Sequence, residues 1–211
     1  MTGHNARLAH DWYGLGIPAN VVVGEDVYID TSYSFAAYAS QRTVGLVLGD
    51  ASGVYDRTSF VVGPRGMVSV GAYTCLNGTS VVCEERVTIG AHCFIAWGVV
   101  ITDCWPDARA SAADRRAALD AASRDTARHL GAVAVARPVT IEDGVWVGFD
   151  SVVLPGVTLG RGCVIGCKTV IASDVPRYAV VVGDPPRVVR VLDADDNEHA
   201  RERAIQEWAR R

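Results

Sequence analysis

The chain has 211 residues, a formal net charge of −4, 49% hydrophobic and 21% charged residues, enough for one domain with a sizeable core and appendages. No basic stripe runs along any segment, which argues against nucleic acid as a partner. No segment approaches eighteen uninterrupted apolar residues, which argues against a helix crossing a membrane.

Residues 1–16 read as a lead-in, with Trp12 and Tyr13 placed to cap the end of a core. They hold no apolar run of signal-peptide length, so the expected location is cytoplasmic. From Ile17 the chain falls into sixes: Ile17, Val23, Ile29 and Phe35 open successive units. A loop or short lid interrupts them, and the sixes resume at Leu48, Val54 and Phe60. A second interruption carries turn chemistry in Gly63-Pro64-Arg65-Gly66. Val70, Leu76 and Val82 continue the register, and one extra residue shifts it to Ile89, Ile95 and Ile101.

Residues 103–138 break the pattern. They are rich in Ala and Arg and read as a loop followed by a helix over about 111–130. An excursion of this length from a rigid scaffold either carries function or packs as a plain solvated or intersubunit helix.

The pattern is strictest from Ile141 to Pro176, where six units follow without a break. Ile141, Val147, Val153, Leu159, Ile165 and Ile171 open them, and the second position is Gly148, Gly160, Gly166 or Ala172 in four of the six. A period of six fits neither a helix nor a flat strand. It fits one short strand and one sharp turn per unit, three units per coil, and coils stacked at roughly 4.8 Å. The expected fold class is therefore an all-β solenoid, with aliphatic openers piled on one another at about 1.5–3 kcal/mol each. An ordinary Val-rich sandwich would not hold a strict six for so long. Pro176, Pro185 and Pro186 end the repeat, and residues 195–211 have the composition and charge order of a helix that covers the open end of the stack. The expected division is lead-in 1–16, coil domain 17–191 and terminal helix 192–211.

The six cysteines form no CxxC pair and lack His partners at zinc spacing, so they are expected to be buried reduced thiols with no metal. Lys168 is the only lysine, and the remaining nineteen basic residues are Arg.

The repeat followed by the exit sequence DVPRYAVVVGDPPRVVR resembles the hexapeptide-repeat acyltransferases, over about residues 17–103 and 139–191. The resemblance implies a left-handed parallel β-helix, which departs from the right-handed crossover rule. It implies homotrimers that bind acyl-coenzyme A, here acetyl-CoA, in the groove between neighbouring subunits, with a small-molecule acceptor. Many such proteins carry Asp-x-x-x-His after the coil that matches Ile95–Asp103, and that His is the general base. Here the segment is Asp103-Cys104-Trp105-Pro106-Asp107: Asp103 matches the Asp, and the His is missing. The remaining candidates for the base are His129, at the end of the excursion, His92, one coil earlier, and Asp103 itself. Cys104 is a conceivable nucleophile.

For the coenzyme, the resemblance points by position to Trp146, Gly148, Ser151, Gly166 and Thr169 along the coils. It points to Lys168, Arg177 and Arg187 for the phosphates, with Arg190 close by. The expected function is an acyl-CoA-dependent O- or N-acyltransferase acting on a sugar, sugar nucleotide or small amine. The alternative is a non-catalytic trimeric binding or scaffold protein whose base is lost. A carbonic-anhydrase-like metalloenzyme would need three converging histidines at a spacing the chain does not offer. A nucleotidyltransferase would need a large α/β domain ahead of the repeats.

Overall fold

Strands of two to five residues alternate with tight corners, and the chain visits three sheets in fixed rotation. The structure is a computed structural model that describes residues 7–124 and 133–193. The first sheet holds Val21–Val23, Leu46–Leu48, Met67–Val70, Arg86–Ile89, Val139–Ile141 and Thr158–Leu159. The second holds Tyr28–Ile29, Gly53–Tyr55, Cys75–Asn77, Phe94–Ile95, Trp146–Val147, Val164–Ile165 and Ala179–Val182, closed by Arg187–Val191. The third holds Ser59–Val62, Ser80–Cys83, Val100–Thr102, Val152–Val153 and Val170–Ile171. All pairings within the three sheets are parallel except the last hairpin, where Ala179–Val182 meets Arg187–Val191 antiparallel.

Each circuit sets its openers on those of the circuit before. Ile141 pairs with Leu159, Val147 with Ile165 and Val153 with Ile171. All six are buried, as are the fifth-position residues Val145, Ser151, Val157, Cys163, Thr169 and Val175. The ladders reach back through the earlier coils: Leu48, Val70 and Ile89 in the first sheet, Ile29, Val54, Leu76 and Ile95 in the second, Phe60, Val81 and Ile101 in the third. A two-residue strand cannot bury anything alone, so stability comes from the rungs above and below. Close stacking also explains the small second position. A Cβ on Gly148 would stand 2.8 Å from the Cys167 amide nitrogen and 3.0 Å from its sulfur.

The corners form ladders of their own. Between the first and second sheets, Ala51, Tyr73, His92, Gly144, Gly162 and Tyr178 all have positive φ. Their amides donate to the preceding coil: Tyr73 to the Asp50 carbonyl (2.9 Å), His92 to Ala72 (2.9 Å), Gly144 to Ala91 (2.8 Å), Gly162 to Asp143 (2.9 Å) and Tyr178 to Arg161 (2.9 Å). Between the second and third sheets, Gly98, Asp150 and Lys168 do the same toward Gly78, Trp97 and Phe149. The left-handed conformation costs an L-residue roughly 1–2 kcal/mol, and these bonds help hold it.

Several elements differ from the sequence reading. Val82 faces outward, and Val81 and Cys83 face in. The corner Asn77-Gly78-Thr79 is one residue short, so Leu76 and Val81 align with Ile95 and Ile101. In the first coil a 3₁₀ turn, Ser32–Phe35, replaces a third-sheet strand, and Phe35 stacks on Phe60 (6.1 Å between ring centroids). The excursion holds the helix α1, Ala112–Arg124, and also an antiparallel pair, Cys104–Pro106 with Val133–Ala136, that periodicity could not signal. Ala122 is the one buried residue of α1, so the helix packs little against its own coils. Trp12 and Tyr13 do not cap the core. Both are exposed and cluster with Tyr33, while Leu8 and Ile17 pack against the core instead. All six cysteines are free; Cys75 is half-buried and Cys167 exposed, against the expectation of burial for all. The helix expected over 195–211 lies outside the described residues. Among the described residues no helix is long and apolar enough to cross a membrane.

Asp11 knots the lead-in to the first coil. Its carboxylate accepts from the Tyr13, Gly14 and Ser32 amides and from the Thr31 and Ser32 hydroxyls. Burial pushes its pKa up, but these bonds together outweigh burial and hold it at about 2. A depressed carboxylate stabilises the fold above its unfolded pKa and loses that contribution as pH falls toward the folded value. Asp11→Asn is therefore expected to lower the melting temperature at pH 7, with the difference from wild type vanishing between about pH 4 and pH 2. In denaturant titrations Leu159→Ala should cost about 2–5 kcal/mol, and Val170→Ala, on an outward position, about 0.5 or less. Equal losses would contradict the ladder.

Candidate functional site

Asp103 and His92 do not converge. Asp103 lies in the corner between the third and first sheets and is fully buried. One carboxylate oxygen accepts from the Glu84 amide (2.8 Å), the other from the Glu85 (2.8 Å) and Arg86 (2.7 Å) amides, with the Cys83 thiol at 3.5 Å. Its carbonyl accepts from Arg137 (2.7 Å), so the excursion leaves and rejoins the coil at this one residue. A buried carboxylate with three amide donors holds a corner; removing a proton from an acceptor needs an exposed lone pair. Beside it, burial pushes the Cys104 thiol up to about 11, which disfavours the thiolate a nucleophile requires.

His92 lies on the opposite side of the first sheet, in the corner that leads into the second. It is exposed and stacks on Tyr73, with centroids 5.1 Å apart and planes 7° apart. His129 lies outside the described residues. Among those described, His92 is the one histidine seated within the coils.

The residues expected to meet a coenzyme divide into two groups. Gly148, Ser151 and Thr169 face the interior. The Ser151 hydroxyl donates to the Gly166 carbonyl (2.8 Å) and accepts from the Thr169 amide (3.2 Å), which laces two coils together. Trp146, Lys168, Arg177 and Arg187 are exposed, and Gly166 is half-buried beneath Val182. Arg177 is engaged by Glu142, Nε to Oε2 at 3.0 Å and Nη2 to Oε1 at 3.3 Å. That hydrogen bond is the main reason the Glu142 pKa is lowered.

Apart from Trp12, Tyr13 and Tyr33 at the first coil and Trp105 on the excursion, the exposed aromatics single out one face. The outer surface of the second sheet carries Tyr28, Phe94 and Trp146, with Phe94 and Trp146 paired across adjacent strands. Its edge toward the third sheet carries Tyr55, stacked on Tyr28 at 4.8 Å, and Trp97, stacked on Phe149 at 5.6 Å and 10°, with Lys168 on the next corner. Its edge toward the first sheet carries Tyr73, His92 and Tyr178. The outward positions of the first sheet are Val22, Val47, Ser69, Thr88, Thr140 and Thr158, and those of the third are also free of aromatic rings. Phe94, Phe149 and Tyr73 escape a reading that follows inward openers; the signal lies in the outward sixth, third and fourth positions of the units. A face with two aromatic edges and a lysine on one corner can stack planar groups and hold a flexible chain across it.

Residues 138–173 match the family described as bacterial transferase hexapeptide (six repeats). The chain is 43% identical over 56 residues to a candidate acetyltransferase of Schizosaccharomyces pombe, covering 26% of this chain and 27% of that protein. It is 45% identical over 60 residues to one of Staphylococcus aureus, covering 28% and 30%. The alignments thus span less than a third of these relatives' own length. Among solved structures, a mutant of AntD, an N-acyltransferase of Bacillus cereus in complex with dTDP and coenzyme A, superposes with a TM-score of 0.62 at 14% identity over 90% of this chain and 91% of that one. A hexapeptide-repeat acetyltransferase of Vibrio cholerae in complex with acetyl-coenzyme A gives 0.56 at 24% identity over 76% of each. The family match shows transferase-type hexapeptide repeats over residues 138–173, and the solved structures share the fold.

Asp103→Asn is expected to destabilise the protein by about 2 kcal/mol or more, because an amide cannot accept at both ends and leaves a buried N–H unpaired. Asp107→Asn, whose single bond from the Arg109 amide an amide oxygen can still accept, should change the melting temperature little. A melting temperature unchanged in Asp103→Asn would contradict the corner role.

Proposed function

We propose that the chain is an acyl-CoA-dependent acyltransferase, using an acetyl group, that acts on the hydroxyl or amine of a sugar, sugar nucleotide or small amine. In this reading the three sheets wind as a left-handed parallel β-helix and three copies associate, with acyl-CoA lying against the outer face of the second sheet. The observation that carries it is the aromatic outer face through the six-repeat stretch: Trp146, Phe149 and Lys168 belong to the segment that matches the transferase repeat. The acetyltransferase relatives and the CoA-bound neighbours of the same fold support the reaction class.

The chemistry needs a group that takes the acceptor's proton as its oxygen or nitrogen attacks the thioester carbonyl. The acyl–sulfur bond breaks, the new acyl bond forms, and the departing thiolate takes up a proton. His129 and His92, the latter on the edge of the face, are the candidates for this group. Asp103, spent on its corner, supports the alternative reading of a binding or scaffold protein on the same coils.

Thiol release from acetyl-CoA with a panel of sugars, sugar nucleotides and amines decides between them. The transferase reading expects turnover in wild type and a loss of roughly 10²–10⁴-fold in either His92→Ala or His129→Ala. CoA binding without turnover on any acceptor would favour the binding protein. Neither turnover nor CoA binding would sink the transferase reading.

A further inference from the structure

In the corner ladder between the first and second sheets, the rungs Ala51, Gly144 and Gly162 carry no ring of their own, and Gly144 is the one that lies open between rings. The same left-handed conformation on stacked coils sends successive side chains outward in register, so neighbouring rings meet face to face. Tyr73 and His92 do so at 5.1 Å and 7°. Gly144 follows and contributes no side chain. Gly162 comes next, but the Tyr178 ring folds back over it: a Cβ there would lie 2.7 Å from Tyr178 Cδ1 and Cε1. The gap at Gly144 is therefore bounded by an imidazole on one side and a phenol ring on the other.

We propose that this gap is a stacking slot for the planar base of a nucleotide. One coil spacing is about 4.8 Å, close to the 5.1 Å at which Tyr73 already stacks on His92, so a flat ring over Gly144 continues the same column. Offset aromatic pairs are favourable at such separations, and stacking tolerates any base because every base has a π-face. Tyr73 is 62% exposed and His92 is exposed, so the column is open to solvent. The rungs that flank the slot mix both signs: Asp143, whose Oδ1 takes the Ala91 amide, Arg161, and the Arg177–Glu142 pair. Such a set can meet the donors and acceptors of a base edge and a phosphate beyond it. The choice of a nucleotide as occupant rests on the transferase reading with His129 rather than His92 as its base, while the slot itself rests on the ladder. A nucleotide base reaches this face from either substrate, as the adenine of a coenzyme or the base of a sugar nucleotide.

The test is calorimetric binding of adenosine bisphosphate, thymidine diphosphate and base-free phosphopantetheine to the full chain, with thermal unfolding of each variant alongside. His92→Ala removes one wall, His92→Phe restores a ring without proton chemistry, and Gly144→Asn fills the rung with a residue that tolerates positive φ. The slot predicts that a base-bearing probe binds wild type, weakens roughly tenfold in His92→Ala and Gly144→Asn, and stays within about twofold in His92→Phe, while phosphopantetheine is unmoved. Preference for the adenosine or the thymidine probe assigns the slot to the coenzyme or to the sugar nucleotide. Failure of both to bind, or equal affinity in all four folded proteins, overturns it. A chain that stacks nucleotides without releasing thiol loses the transferase reading and keeps the slot. A chain that turns over with affinities indifferent to position 144 loses the slot alone.

Discussion

Stacking of one coil on the next is the constraint that everything else obeys. Strands of two or three residues form too few bonds to persist alone. They persist because Ile141 rests on Leu159, Val147 on Ile165 and Val153 on Ile171, and because the corners are tied by amides from coil to coil. Shape follows from that constraint. Second positions shrink to glycine where the backbones close to contact, and fifth positions take whatever fills a corner, whether Val145 or the hydroxyl of Ser151.

The same regularity creates a surface on which function can be placed. Once corners are in register, a side chain at a given angle meets its counterpart one coil away. Trp97 on Phe149, Tyr28 on Tyr55 and Tyr73 on His92 are consequences of the stack rather than separate inventions. These pairs gather on the outer face and edges of one sheet of three. Asp103 does the complementary task. It closes the corner from which the excursion departs, so a long insertion can leave the stack without breaking it.

The scaffold was legible because its signal is inward and periodic. Every opener from Ile141 to Ile171 is buried as the sixes require. Legibility ended where the period stopped. Val82 was placed inward because a corner shorter by one residue leaves no mark in the spacing of apolar residues. The pair Cys104–Pro106 with Val133–Ala136 joins segments on the two sides of the helix and has no local signature. The site was less legible still. Position points to Ser151 and Thr169, but spacing does not tell whether a hydroxyl faces a ligand or a neighbouring carbonyl. Asp103 stands out in the sequence as a candidate base, and its three amide donors give it a structural role that spacing alone does not signal.

The account therefore rests on one face, the outer surface of the second sheet between its two aromatic edges. A structure of the protein with coenzyme A bound tests it most directly. The account predicts coenzyme density across this face, in contact with Trp146, Phe149 and Lys168. Density against the first or third sheet instead, or none at saturating coenzyme, would contradict it.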